Sequence, residues 1–216
     1  MHQRLNKGFT LTELLVSSAI GLSLITVVTS NYFHSVALSN QQIKRSVLSA
    51  ELDSLLYLMN AEIKRAGYCG DCKSSNGFLI SDATGANRSS VAINDSVTAL
   101  TGTCIRFAYN EDSSLGVLTP RNGDARGYRL KMEKDGTKSF EIYRNYGGIA
   151  NWNCNDGTHW LDYQNDMISI SQFDIHREEV IGISRKKQNI TITLTGNIDG
   201  VSLSRTTRIA INNVDY

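Results

Sequence analysis

Two groups of residues in this sequence are of types and spacings that do chemistry. The first is Lys7-Gly8-Phe9-Thr10-Leu11-Thr12-Glu13, which opens an apolar run over 9–28. At about 1.5 Å per residue, such a run has the length a helix needs to cross a hydrocarbon core of about 30 Å. A carboxylate inside it costs about 2.5–3.5 kcal/mol on insertion scales, so Glu13 is a functional residue that calls for a charged partner. No Lys or Arg occurs between Glu13 and Lys44, and helical neighbours sit only three or four positions away. The partner is therefore expected from outside the helix. A secretory signal is cut after its apolar region, but the only candidate cut here, after Gly8, lies before it. Cleavage there retains the membrane segment and frees an α-amino group on Phe9, one turn from Glu13.

The second group is the four cysteines, Cys69, Cys72, Cys104 and Cys154, all beyond the apolar run. With the basic leader (Arg4, Lys7) held in the cytoplasm, they face an oxidising compartment, where two disulfides are the natural outcome. Three connectivities remain open. Cys69-Gly70-Asp71-Cys72 has redox-motif spacing, but a reactive thiol needs a helix starting at the motif, and here a helix ends there.

Other candidates carry less. The segment 151–160, with Trp152, His159 and Trp160, reads as a surface loop tied by Cys154. Asp156, Asp162 and Asp166 fit no defined calcium loop. His34, His159 and His176 stand apart from other ligand types. Arg185-Lys186-Lys187 reads as a solvated turn, and a net charge of +1 gives no footprint for nucleic acid. Neither cofactor nor metal is expected, and no catalytic constellation emerges.

The elements that position these residues follow from periodicity. Leu48, Leu52, Leu55, Leu56, Met59, Ile63 and Ala66 recur at helical spacing, with Lys44, Arg45, Glu51, Asp53, Asn60, Glu62 and Lys64 on other faces. With one proline in the chain, Pro120, a continuous helix is expected from Phe9 to Ala66, roughly 85 Å long. Lys64 and Arg65 then lie in its last turn and Gly67 stops it. The stretch 73–102 reads as a long connection holding one or two short strands. Strands are expected over 104–109, 128–133, 140–143, 168–170, 173–175, 189–194 and 201–211. Hairpins are expected at Asp135-Gly136 and Asp199-Gly200, and a bulge between Ile170 and Phe173.

The leader, Gly8, Phe9 and Glu13 together resemble the type IV prepilin signature. The resemblance implies cleavage between Gly8 and Phe9 by prepilin peptidase and N-methylation of Phe9. It also implies pairing of Glu13 with the Phe9 amine of a neighbouring subunit. The implied fold is α+β, the type IV pilin fold: a long N-terminal helix packed on an antiparallel β head. Its parts are a leader 1–8, a transmembrane or filament-core half 9–30, an amphipathic stem 31–67 and a disulfide-containing head 68–216. The connection 73–102 is by the same resemblance a subunit-contact surface. Many major pilins carry a proline near Ser30; here Gly21 is the only weak point of the membrane half.

The stretch 52–68, ending Lys64-Arg65-Ala66-Gly67-Tyr68, looks like the junction of PilW-type minor pilins. That implies a non-enzymatic minor pilin, held in the inner membrane with a periplasmic head and then assembled into a surface filament in its initiating or tip complex. Implied partners are prepilin peptidase, other minor and major pilins, and the inner-membrane assembly platform. The alternatives are a minor pseudopilin of a type II secretion system and a membrane-anchored periplasmic thiol-disulfide protein using Cys69 and Cys72.

Overall fold

The computed structural model describes residues 8–72, 76–121, 123–144, 152–155, 158–163, 167–181 and 186–211. Arg4, Lys7, Asp156, Asp166 and Arg185 lie outside them. The chain forms two units, Met1–Lys44 and Arg45–Tyr216.

One helix, α1 (Leu11–Ile63), runs without interruption through Gly21 and Ser30. In the first unit its large apolar side chains, from Phe9 and Leu11 to Val28, are exposed. It is long and apolar enough to cross a membrane. Four of its hydroxyls suit that setting, because they return to backbone carbonyls of the preceding turn. Ser17 donates to Glu13 (2.7 Å), Ser18 to Leu15 (2.9 Å), Ser23 to Ile20 (2.8 Å) and Thr26 to Ser23 (2.8 Å).

In the second unit α1 buries Leu48, Leu52, Leu55, Leu56, Met59 and Ile63, and Ala66 joins them beyond its end. This is the stripe the periodicity predicts. The helix stops at Ile63, three residues before the expected Ala66. The i→i+3 bonds Arg65 N–H to Glu62 (3.0 Å) and Ala66 N–H to Ile63 (3.0 Å) tighten the chain into a turn. Gly67 then takes φ +75° and donates to the Ala108 carbonyl at 2.8 Å. Lys64 and Arg65 thus sit past the last helical turn, and Arg65 lies over the Tyr109 ring at 4.1 Å.

The connection to the head is more structured than expected. It holds β1 (Ile80–Ser81), β2 (Arg88–Ser89), β3 (Val91–Ile93) and β4 (Thr101–Gly102). Then come β5 (Cys104–Ala108), β6 (Ala125–Met132), β7 (Lys138–Arg144), β8 (Trp160–Asp162), β9 (Ser169–Ile181), β10 (Lys186–Ile198) and β11 (Val201–Ile211). All pairs are antiparallel, in a five-stranded sheet ordered β3-β5-β6-β7-β8, a four-stranded sheet ordered β11-β10-β9-β4, and the pair β1-β2. The helix stripe and the inner faces of both larger sheets share one core. Phe140 of β7 meets Phe173 of β9 edge to face at 5.3 Å, joining the sheets.

Both expected hairpins form. The bulge falls at Ser171, where Thr195 pairs with Gln172 and Gly196 with Ile170. The strands on either side of that bulge are one strand, because β10 pairs along all of it. Lys186 and Lys187 belong to β10, paired with Ile181 and Val180, and are not in a turn.

Candidate functional site

Gly8 and Phe9 precede the helix, outside regular secondary structure, both exposed, Phe9 at 88 %. Thr10 is the last non-helical residue and Glu13 the third of α1. The Glu13 Oε2 accepts from the Thr10 backbone N–H (2.9 Å) and the Thr10 hydroxyl (2.9 Å), while Glu13 N–H faces Thr10 Oγ1 at 3.4 Å. This is a capping box, in which threonine and glutamate satisfy each other's orphan N–H groups at a helix start. Within the chain, then, the acid is held by hydrogen bonds and by the positive end of the helix dipole. The Thr-x-x-Glu signal is present in the sequence, but Thr10 escapes a reading centred on charge.

The cysteines pair Cys69 with Cys72 and Cys104 with Cys154. The first pair follows the turn that ends α1, so no helix N-terminus among the described residues lies at these sulfurs to favour a thiolate. The second ties 152–155 across the outer face of the five-stranded sheet. There Arg106 contacts Asp95 (Nε to Oδ1, 2.6 Å) and donates to the Trp152 carbonyl. Arg129 pairs with Glu141 and donates to the Cys154 carbonyl at 2.6 Å. The Arg106 and Arg129 guanidiniums stand over the Trp152 and Trp160 rings at 5.1 and 4.4 Å. The two indole N–H groups donate to the carbonyls of Arg126 and Asn153, each at 3.0 Å.

A surface loop tied by Cys154 was expected here; the tie is present, but the aromatic residues turn inward. Trp160 is buried in β8, Trp152 is half-buried, and both rings face the sheet. Sequence reasoning also missed Asp95. With Asn94 it forms a positive-φ turn, and its carboxylate accepts the Cys154 N–H at 2.9 Å as well as the arginine. The Asn-Asp dipeptide is the signal that was available.

The remaining candidates are dispersed. His34 and His176 are exposed, the first on α1 and the second on β9. His159 Nδ1 bonds the Thr158 hydroxyl at 2.8 Å. Asp162 accepts the Ser139 hydroxyl at 2.5 Å. Among the described residues no three His, Cys, Asp or Glu side chains gather as a metal site does.

Two protein-family models match the chain. The prokaryotic N-terminal methylation motif covers residues 3–29, the segment holding Gly8, Phe9, Thr10 and Glu13. Prepilin peptidase-dependent protein B covers residues 41–212, which is the amphipathic part of α1 and nearly all of the head. Comparison with curated proteins and with solved structures gives no match. A membrane-length apolar helix opened by a methylation motif and continued into an antiparallel β head therefore places the chain: it belongs to the prepilin peptidase-dependent protein B family and is a type IV pilin-like protein.

Proposed function

We propose that this protein is a minor pilin of a type IV pilus, cleaved between Gly8 and Phe9, N-methylated at Phe9 and built into the initiating complex at the filament tip. Segments 1–8, 9–30, 31–67 and 68–216 act as leader, membrane and filament-core helix, stem and periplasmic head. The observation that carries this reading is the helix start itself: an exposed Gly8-Phe9 bond beside a Thr10–Glu13 capping box, at the mouth of an apolar helix. Cleavage places a new amine within a turn of an acid already held at that end. On assembly, the Glu13 carboxylate exchanges its Thr10 hydrogen bonds for the amine of a neighbouring subunit. Two charges, each costly in lipid, then neutralise one another. The tip position and the choice of pilus over secretion pseudopilus rest on the PilW-like junction at 52–68. Prepilin peptidase, other minor and major pilins and the assembly platform are the partners.

The test is Glu13→Ala in the full chain. Leader removal, read by mass spectrometry of the mature N-terminus, should proceed as in wild type, while surface pili are almost completely lost. Wild-type pilus numbers would sink the pairing role. Loss of protein secretion with pili intact would transfer the protein to the type II secretion pseudopilus.

A further inference from the structure

We propose that the Cys69–Cys72 bridge is a site of reversible reduction, opened by a dithiol reductant that attacks Cys72, under conditions where Cys104–Cys154 stays closed. This concerns chemistry done to the head and does not depend on the minor-pilin reading.

Exposure does not separate the two bridges, since each joins a buried cysteine to a half-buried one. What separates them is how each cysteine is held once the sulfurs part. Cys104 lies inside β5, opposite Arg129, and its N–H and carbonyl both bond Asn94, at 3.2 and 3.0 Å. Cys154 is fixed from two sides, its N–H on the Asp95 carboxylate at 2.9 Å and its carbonyl on the Arg129 guanidinium at 2.6 Å. These two thiols remain face to face without their bond, which favours reclosure. Cys69 is held in the same way, because Asn110 donates to its carbonyl at 3.1 Å. Cys72 is not. Among the described residues its polar contacts are its N–H to Cys69 Sγ at 3.2 Å and its own Sγ 3.9 Å from the Val117 carbonyl oxygen. Its neighbour Asp71 accepts the Gly116 N–H at 3.2 Å. Opening this bridge therefore releases one of its two thiols from its place, and reclosure is less favoured.

The direction of attack follows from burial. A thiolate of the reductant reaches Cys72 Sγ, because Cys72 is half-buried beside the exposed Gly70 and Asp71, whereas Cys69 is buried. The S–S bond breaks, a mixed disulfide forms on Cys72, and Cys69 leaves as a thiolate. The Cys72 N–H already donates to that sulfur and stabilises its charge until it is protonated. The second thiol of the reductant then displaces Cys72, so two electrons and two protons pass to the head and the reductant ends as a disulfide. The Cys72 thiol has the Val117 carbonyl as its acceptor. Both reduced sulfurs thus have partners in place. With a sequence separation of 3 against 50, this bridge also constrains the unfolded chain less than the other, so the head stays folded when it opens. What loosens is the tie from Asp71 to Gly116, which docks the loop carrying the exposed Leu115.

The test uses the full chain in detergent micelles, equilibrated with mixtures of reduced and oxidised dithiothreitol, quenched with acid and alkylated so that mass spectrometry reads each cysteine. Cys69 and Cys72 should be labelled at a ratio of reduced to oxidised dithiothreitol at least about tenfold lower than Cys104 and Cys154 require. With glutathione and a rapid quench, the mixed disulfide should form on Cys72. In the form with only Cys69–Cys72 open, the Gly116 amide should exchange with solvent at least about tenfold faster, with the amides of β5 unchanged. Opening of both bridges at one ratio, earlier opening of Cys104–Cys154, loss of β5 protection together with Cys69–Cys72, or glutathione on Cys69 would each overturn the proposal. Pilus assembly enters none of these readouts, so a failure of the minor-pilin reading shows separately, in Glu13→Ala.

Discussion

Tyr128 lies within the core and donates its hydroxyl to Glu62 at the end of α1, which also has the Arg126 Nε at 3.7 Å. Burial first, and then the Glu62 charge, hold the phenol well above its ordinary value. The sign follows directly. The folded chain keeps a proton that the unfolded chain gives up near pH 10, so this contribution is complete below about pH 10 and is lost as pH rises toward the folded value. Unfolding midpoints measured from about pH 9 to about pH 11 should fall, and Tyr128→Phe should flatten that fall. An equally steep decline in the variant would show that the phenol is not its source. The ion pair of Arg129 and Glu141 illustrates the other side of burial: both side chains are almost wholly enclosed. Their worth lies in how Arg129 also grips the Cys154 carbonyl, because a buried pair is a weak source of net stability.

Gly127 shows how tightly an element can be packed from both sides. It sits in β6 opposite Arg106 and Tyr143. A Cβ there would lie 2.9 Å from the Ile105 carbonyl oxygen and 2.9 Å from the Trp160 ring. The first of these is backbone and cannot swing away, so Gly127→Ala should destabilise the head by about 1–3 kcal/mol. Thermal unfolding checks it, and a midpoint equal to wild type would mean that β5 and Trp160 yield more than the contacts indicate. At this scale much was legible. The stripe from Leu48 to Ala66, the turns at Asp135-Gly136 and Asp199-Gly200 and the slip near Ser171 depend on residues within a turn or two of one another. Between 80 and 102 one or two short strands were expected and four form; β4 was hidden because its partner is distant, Thr101 pairing with His176.

Across the head, the two disulfides do different work. Cys104–Cys154 closes a separation of 50 residues and Cys69–Cys72 one of 3. Chain-entropy estimates give about 4 kcal/mol for the longer loop and about 2 for the shorter. The double variant Cys104→Ala, Cys154→Ala should therefore lower the unfolding midpoint further than Cys69→Ala, Cys72→Ala, as measured by calorimetry on the oxidised proteins. The reverse order would mean that loop-closure entropy does not set the difference between the two bridges. The helix of the first unit stands outside this accounting, since its apolar side chains are exposed.

Gly8, Phe9 and Glu13 were readable because a processing motif must be recognised as linear sequence, and the amphipathic stripe because helical periodicity is local. The tertiary structure alone decided the disulfide pairing, the inward turn of Trp152 and Trp160, the meeting of Asp95 with Arg106, and which strand is left at the edge. Each of these depends on residues far apart in the chain approaching to within a few ångströms. No local pattern encodes that approach, because it is set by how two sheets and one helix share a single core.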